Sequence, residues 1–81
     1  MGRRIRIAVN IPDVPGALWQ LLGAIAESRA NILHVLHDRM DLQNPLDVSR
    51  VVLNLETRGH DHIEELMNGL AEAGYGANRI L

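Results

Sequence analysis

The chain contains no cysteine, no lysine and no phenylalanine, and it has one tryptophan, Trp19, and one tyrosine, Tyr75. Without cysteine there is neither a disulfide framework nor a thiolate metal site, and the redox compartment cannot be read from thiol usage. The cationic side chains are all arginine, and the formal net charge of −2 leaves no large positive field to hold nucleic acid or an anionic membrane. Apolar stretches are short and broken by Asn, Gln or charge, far below the roughly 20 residues a membrane span needs. The first residues lack a secretory signal pattern, which points to the cytoplasm. With so few aromatics, a core must be built from Ile, Leu and Val. The 81 residues suffice for one domain, residues 1–81. A domain of this size buries only about 60–65% of the surface its unfolded chain exposes, so self-association is one expected source of extra stability.

Residues 4–11 alternate, with Ile5, Ile7, Val9 and Ile11 on one face and Arg4, Arg6 and Asn10 on the other, the period of a half-buried strand. Pro12-Asp13-Val14-Pro15-Gly16 stops it, and Pro15 suits a first helical position because its missing N–H has no intrahelical partner there. Leu18, Leu21, Leu22 and Ile25 then recur at helical spacing to about Arg29, and Asn31 is expected to take the left-handed conformation that closes the helix. A second strand follows from Ile32 to about Met40, a turn cluster at residues 41–45, and a third alternating strand over residues 48–57, with Val51, Leu53 and Leu55 in one row. Asp61 and Glu64 have the spacing of an N-cap and its capping-box partner, Ile63, Leu66, Met67 and Leu70 supply a second buried helical stripe, and Gly74 precedes a last apolar strand over residues 75–81.

This order, βαββαβ, predicts an α+β, ferredoxin-like sandwich: a four-stranded antiparallel sheet with both helices on one face. Both rows of the second strand carry apolar residues, Ile32 and Leu36 against Leu33 and Val35, so its far side is expected to meet a second copy. Function must come from sites, because the fold hosts many. RNA-recognition domains of this topology need stacking aromatics on the central strands, which here offer Ile, Val, Arg and Asn. Metallochaperones need Cys-x-x-Cys, and an acylphosphatase-like loop needs Arg where this chain has Asp13.

His34 and His37 lie three apart on a strand and should face opposite ways, while His60 and His62 flank a helix start at a spacing common on solvated surfaces, so no metal site is expected. Arg3, Arg4 and Arg6 read as a solvated or ion-paired row facing Arg50 and Glu56. Ser28 and Ser49 have no evident base, and no carboxylate pair or phosphate loop stands out, so no catalytic residues are assigned and the chain is not expected to be an enzyme by itself.

Asp13-Val14-Pro15-Gly16-Ala17-Leu18 is the segment with chemistry. Glycine at a helix start lets a ligand approach the backbone, unsatisfied N–H groups there attract a carboxylate, and a nearby acid can take an ammonium, which together suit an α-amino acid. The plainer alternative is a Pro-Gly turn shaping the helix start, with Asp13 favouring the helix dipole.

Asp13-Val14-Pro15-Gly16-Ala17-Leu18 after strand one, Ala30-Asn31-Ile32 opening strand two and Gly74-Tyr75 before strand four resemble the ACT family over nearly the whole chain. His37-Asp38-Arg39, Pro45-Leu46, Leu55-Glu56-Thr57-Arg58-Gly59 and His62-Ile63-Glu64-Glu65-Leu66 look more narrowly like the C-terminal regulatory ACT domain of threonine dehydratases (threonine ammonia-lyases). The resemblance implies paired copies extending one sheet, with a small amino acid such as Ile or Val held by Asp13, Val14, Pro15, Gly16 and Ala17 of one copy and Asn31 and Ile32 of the other. Several amino-acid-binding relatives carry Asn where this chain has Asp13, and an acid beside a bound carboxylate costs affinity unless it pairs with the ammonium. The implied parent enzyme uses pyridoxal phosphate, whose Schiff-base lysine cannot lie in a chain without lysine, so the chain itself calls for no cofactor and any catalytic domain lies elsewhere. A dimerisation module with a vestigial ligand site is the alternative.

Overall fold

The computed structural model describes residues 3–38 and 48–81. The turn expected at residues 41–45 and the far end of the expected second strand lie outside the described residues. The elements run β1 (Arg3–Pro12), α1 (Ala17–Glu27), β2 (Asn31–Asp38), β3 (Val48–Thr57), α2 (His60–Glu72) and β4 (Ala77–Arg79). The strands form one sheet in the order β2-β3-β1-β4, and every neighbouring pair is antiparallel. This is the ferredoxin-like sandwich that the alternation and helical spacing predict.

Ile5, Ile7, Val9 and Ile11 of β1 and Val51, Leu53 and Leu55 of β3 form one buried cluster with Leu21 and Ile25 of α1 and Ile63, Leu66 and Leu70 of α2. Both helices therefore cover the same face of the sheet. Each fully buried aliphatic side chain contributes roughly 1.5–3 kcal/mol, which makes this aliphatic cluster the main stabilising term. On the open face the pairing register sets Arg4 opposite Glu56 and Arg6 opposite Asn54. Arg4 Nε lies 4.0 Å from Glu56 Oε2, and Arg6 Nε donates to Asn54 Oδ1 at 2.8 Å. The arginine row is thus exposed and partly paired, and exposed pairs of this kind contribute about 0–1 kcal/mol each.

The helix boundaries depart from the sequence reading for backbone reasons. α1 begins at Ala17 behind an N-cap Gly16 in the left-handed region (φ 86°), so Pro15 belongs to the preceding turn and is not the first helical residue. α2 begins at His60 behind Gly59 (φ 143°), which puts Asp61 inside the first turn; it is not the cap, and no side-chain capping bond forms. Asp61 still favours the positive end of the helix dipole. At the end of α1 the left-handed residue is Arg29 (φ 65°), and Asn31 is already the first residue of β2. The end of α2 follows expectation: Gly74 N–H donates to Ala71 C=O at 3.0 Å and Tyr75 N–H to Leu70 C=O at 2.9 Å, the paired bonds of a Schellman motif. β4 itself is three residues long, shorter than the predicted 75–81.

β2 differs most. A bulge between Ile32 and His34 shifts its register, so that Ile32, Val35 and His37 pair with Leu55, Leu53 and Val51 on the helix side. Leu36 pairs with Val52 and faces the open side with His34. Ile32 and Leu36 therefore do not share a row, because the extra residue breaks the period of two. His34 and His37 do face opposite ways. β2 is an edge strand, and its Leu33 and Leu36 are exposed.

Candidate functional site

The turn from β1 to α1 stands over a cleft of about 280 Å³, lined by Pro12, Val14, Pro15, Ala17, Gln20, Ala73 and Tyr75. It lies where the first turn of α1 meets the end of α2. Of the expected effector residues, Val14, Pro15 and Ala17 line the cleft. Asp13 and Gly16 belong to the same turn but do not line it. A Cβ built on Gly16 meets nothing within 4 Å, so its glycine is required by the left-handed backbone and the space beside it is open.

Asn31 and Ile32 lie elsewhere in the fold. They pair with Glu56 and Leu55, near the end of the sheet where Arg3 meets Thr57, whereas the turn follows the end where Pro12 meets Val48. A single chain brings together Val14, Pro15 and Ala17 and leaves Asn31 and Ile32 apart. Gln20, Ala73 and Tyr75 are cleft residues that the sequence reading did not assign. Tyr75 had a signal in its place directly after the helix-closing Gly74. Gln20 had a weaker one, one turn beyond Gly16.

α1 opens with no side-chain capping bond, and the first N–H groups of a helix have no intrahelical acceptor. The positive end of α1 therefore sits at the turn, an arrangement suited to a carboxylate. Beneath, on the helix-facing side of the sheet, Ser49 pairs with Ile11 and His37 with Val51. The Ser49 hydroxyl and His37 Nε2 are buried with no hydrogen-bond partner. Such groups cost about 1–3 kcal/mol each when left unsatisfied.

The histidines at the start of α2 are not equivalent. His60 is exposed, 3.8 Å from Glu64. His62 is only 4% exposed, against the expectation of a solvated surface. Its Nδ1 accepts from the Arg58 N–H at 2.9 Å, and its Nε2 is 2.6 Å from the Ser28 carbonyl oxygen. Among the described residues no group of three or more His, Asp or Glu could hold a metal ion, and no helix is long and apolar enough to cross a membrane.

No protein-family model matches the chain. Two curated relatives are L-threonine ammonia-lyases, 42% identical over 74 residues in Geobacter sulfurreducens and 40% identical over 74 residues in Thermotoga maritima. The ACT domain from the GTP pyrophosphokinase of Chlorobium tepidum has the same fold, with a TM-score of 0.74 at 18% identity, covering 99% of this chain and 100% of that one. This chain has the ACT-domain fold. The regulatory subunit of aspartate kinase from Thermus thermophilus has a TM-score of 0.68 at 20% identity, with 99% of this chain covered and 52% of that subunit. The alignments to the ammonia-lyases take in 91% of this chain and 18% of each enzyme. The chain thus spans a short part of the ammonia-lyases it matches and not their whole length.

Proposed function

We propose that this chain is an ACT domain acting as an amino-acid-sensing regulatory module of a threonine ammonia-lyase-like enzyme, holding a small amino acid such as isoleucine or valine at an interface between two copies. The observation that carries the reading is the 40–42% identity to L-threonine ammonia-lyases along 91% of the chain. The turn supports it chemically. The start of α1 suits the effector's carboxylate, Asp13 its ammonium, and Val14, Pro15 and Ala17 its aliphatic side chain.

The topology supports pairing through β2. This strand runs from Asn31, opposite Glu56, to Asp38, opposite Arg50, and it is the sheet edge. Antiparallel pairing of two such edges reverses one copy, which carries its Asn31 and Ile32 toward the turn end of the other. The same pairing would satisfy an open strand edge and cover the exposed Leu33 and Leu36. The effector acts by linkage: it binds one arrangement of the paired domains better and shifts an attached catalytic domain by that difference, about 1–3 kcal/mol in typical cases. Residues 1–81 form one such unit, set in the cytoplasm and needing no cofactor of its own.

The open β2 edge also favours a second reading, a dimerisation module whose ligand site is vestigial. A thermal-unfolding screen against the twenty amino acids, with oligomeric state recorded in the same buffer, separates the two. An amino acid at about 100 times its Kd adds roughly 2.7 kcal/mol, a shift of about ten degrees or more in so small a domain. A selective shift is the expected outcome. A flat response from a stable dimer leaves the association module.

A further inference from the structure

His62 bridges two connections that the chain makes at the end of the sheet remote from the turn. The Arg58 N–H can only donate, so Nδ1 must be bare, and the Ser28 carbonyl can only accept, so the proton sits on Nε2. The imidazole is thereby held as one neutral tautomer, with one nitrogen on the β3–α2 connection and the other on the α1–β2 connection.

The second contact falls at a sensitive point. Ser28 closes α1, with its hydroxyl donating to the Ile25 carbonyl at 2.6 Å. Arg29 follows in the left-handed region at φ 65°, a conformation that costs a non-glycine residue about 1–2 kcal/mol. The Ser28 carbonyl belongs to the peptide plane directly before that φ, so anchoring it opposes the rotation by which Arg29 would relax. Two residues later β2 begins with Asn31 and Ile32.

We propose that His62 is a positioning residue for the effector site: through its Nε2–H bond to Ser28 it holds the left-handed turn that presents Asn31 and Ile32 to a paired copy. This rests on the sensing function proposed above. It assigns the two hydrogen bonds different jobs, the Arg58 side aligning the ring and the Ser28 side holding the turn.

Two substitutions in the full chain separate those jobs. His62→Gln places an amide N–H where Nε2 stands and can keep the Ser28 bond, whereas His62→Asn places an oxygen where Nδ1 stands and can keep only the Arg58 bond. Amide hydrogen exchange is read at residues 30–32 and L-isoleucine binding by calorimetry. His62→Asn should exchange at those amides about tenfold faster than wild type and bind L-isoleucine about tenfold more weakly, with His62→Gln within about threefold on both. Equal effects of the two variants, or acceleration spread evenly over the molecule, would overturn the proposal. If wild type binds neither L-isoleucine nor L-valine, the sensing function fails, while exchange alone still decides the hold on the turn. Should His62→Asn not fold, the imidazole nitrogen spectrum of wild type decides instead, and a proton found on Nδ1 would sink the idea.

Discussion

The two ends of the sheet are built to different standards. At the end where β1 starts and β3 finishes, buried polar groups are matched: the Thr57 hydroxyl donates to the Arg3 carbonyl at 3.0 Å, and His62 joins Arg58 to Ser28. At the end where β1 leaves for the turn, α1 starts uncapped on a left-handed glycine, and Ser49 and His37 bury atoms without partners. A fold this small has little stability to spare. Closing one end fully while leaving polar groups unmatched at the other is therefore informative. The matched end reads as scaffold, and the unmatched end is where the proposed effector or second copy would find groups to satisfy.

The largest test of that contrast is His62→Ala. It removes the ring and strands the Arg58 N–H and Ser28 carbonyl in a buried site, which should cost about 3 kcal/mol and lower Tm by roughly 15 °C. Thermal unfolding followed by circular dichroism checks it. A loss below about 1 kcal/mol would mean that water replaces both bonds, and the matched end would lose its special standing.

What the sequence conceals about these ends has physical causes. The aliphatic rows of β1 and β3 were legible because burial on one face writes a period of two directly into residue type, and each of Ile5, Ile7, Val9, Ile11, Val51, Leu53 and Leu55 is buried as read. The helix starts were misplaced because Gly16 and Gly59 set them by backbone dihedral, while Pro15 and Asp61 carry the better-known composition signals. The bulge in β2 leaves no mark in hydropathy, so beyond it Val35 and Leu36 stand in each other's expected rows. His62 looked solvated because its partner Ser28 is 34 residues away. Of the candidate site, the Asp13–Ala17 turn was visible as a motif, whereas Gln20, Ala73 and Tyr75 reach the cleft only through the packing of α1 against the end of α2.

A middle-sized effect comes from comparing glycines of α1. Gly16→Ala forces a side chain into the left-handed region and should destabilise by about 1 kcal/mol, although nothing stands within 4 Å of the new Cβ. Gly23→Ala, in the exposed middle of the same helix and equally free of close atoms, should stabilise by about 0.5–1 kcal/mol. Urea titration of both variants gives the signs. If both stabilise, Gly16 is not conformationally required, and the open space beside it becomes the only reason for glycine at the turn.

The smallest effect carries the sharpest contrast, because it compares two buried hydroxyls on one strand. Thr57→Val deletes a made hydrogen bond and should cost about 1 kcal/mol. Ser49→Ala deletes a hydroxyl that is fully buried and unpartnered, so the desolvation it suffers in the folded state disappears with it. The expected change is stabilisation by a few tenths to about 1 kcal/mol, of opposite sign to Thr57→Val in the same urea titration. A loss from Ser49→Ala equal to that from Thr57→Val would show that the hydroxyl is satisfied in solution, and the two ends would then be alike. A gain in the free protein joined to a weakened amino-acid response would instead tie the unmatched hydroxyl to the bound state, since a group that costs stability alone and contributes affinity with ligand present is one whose partner arrives with the ligand.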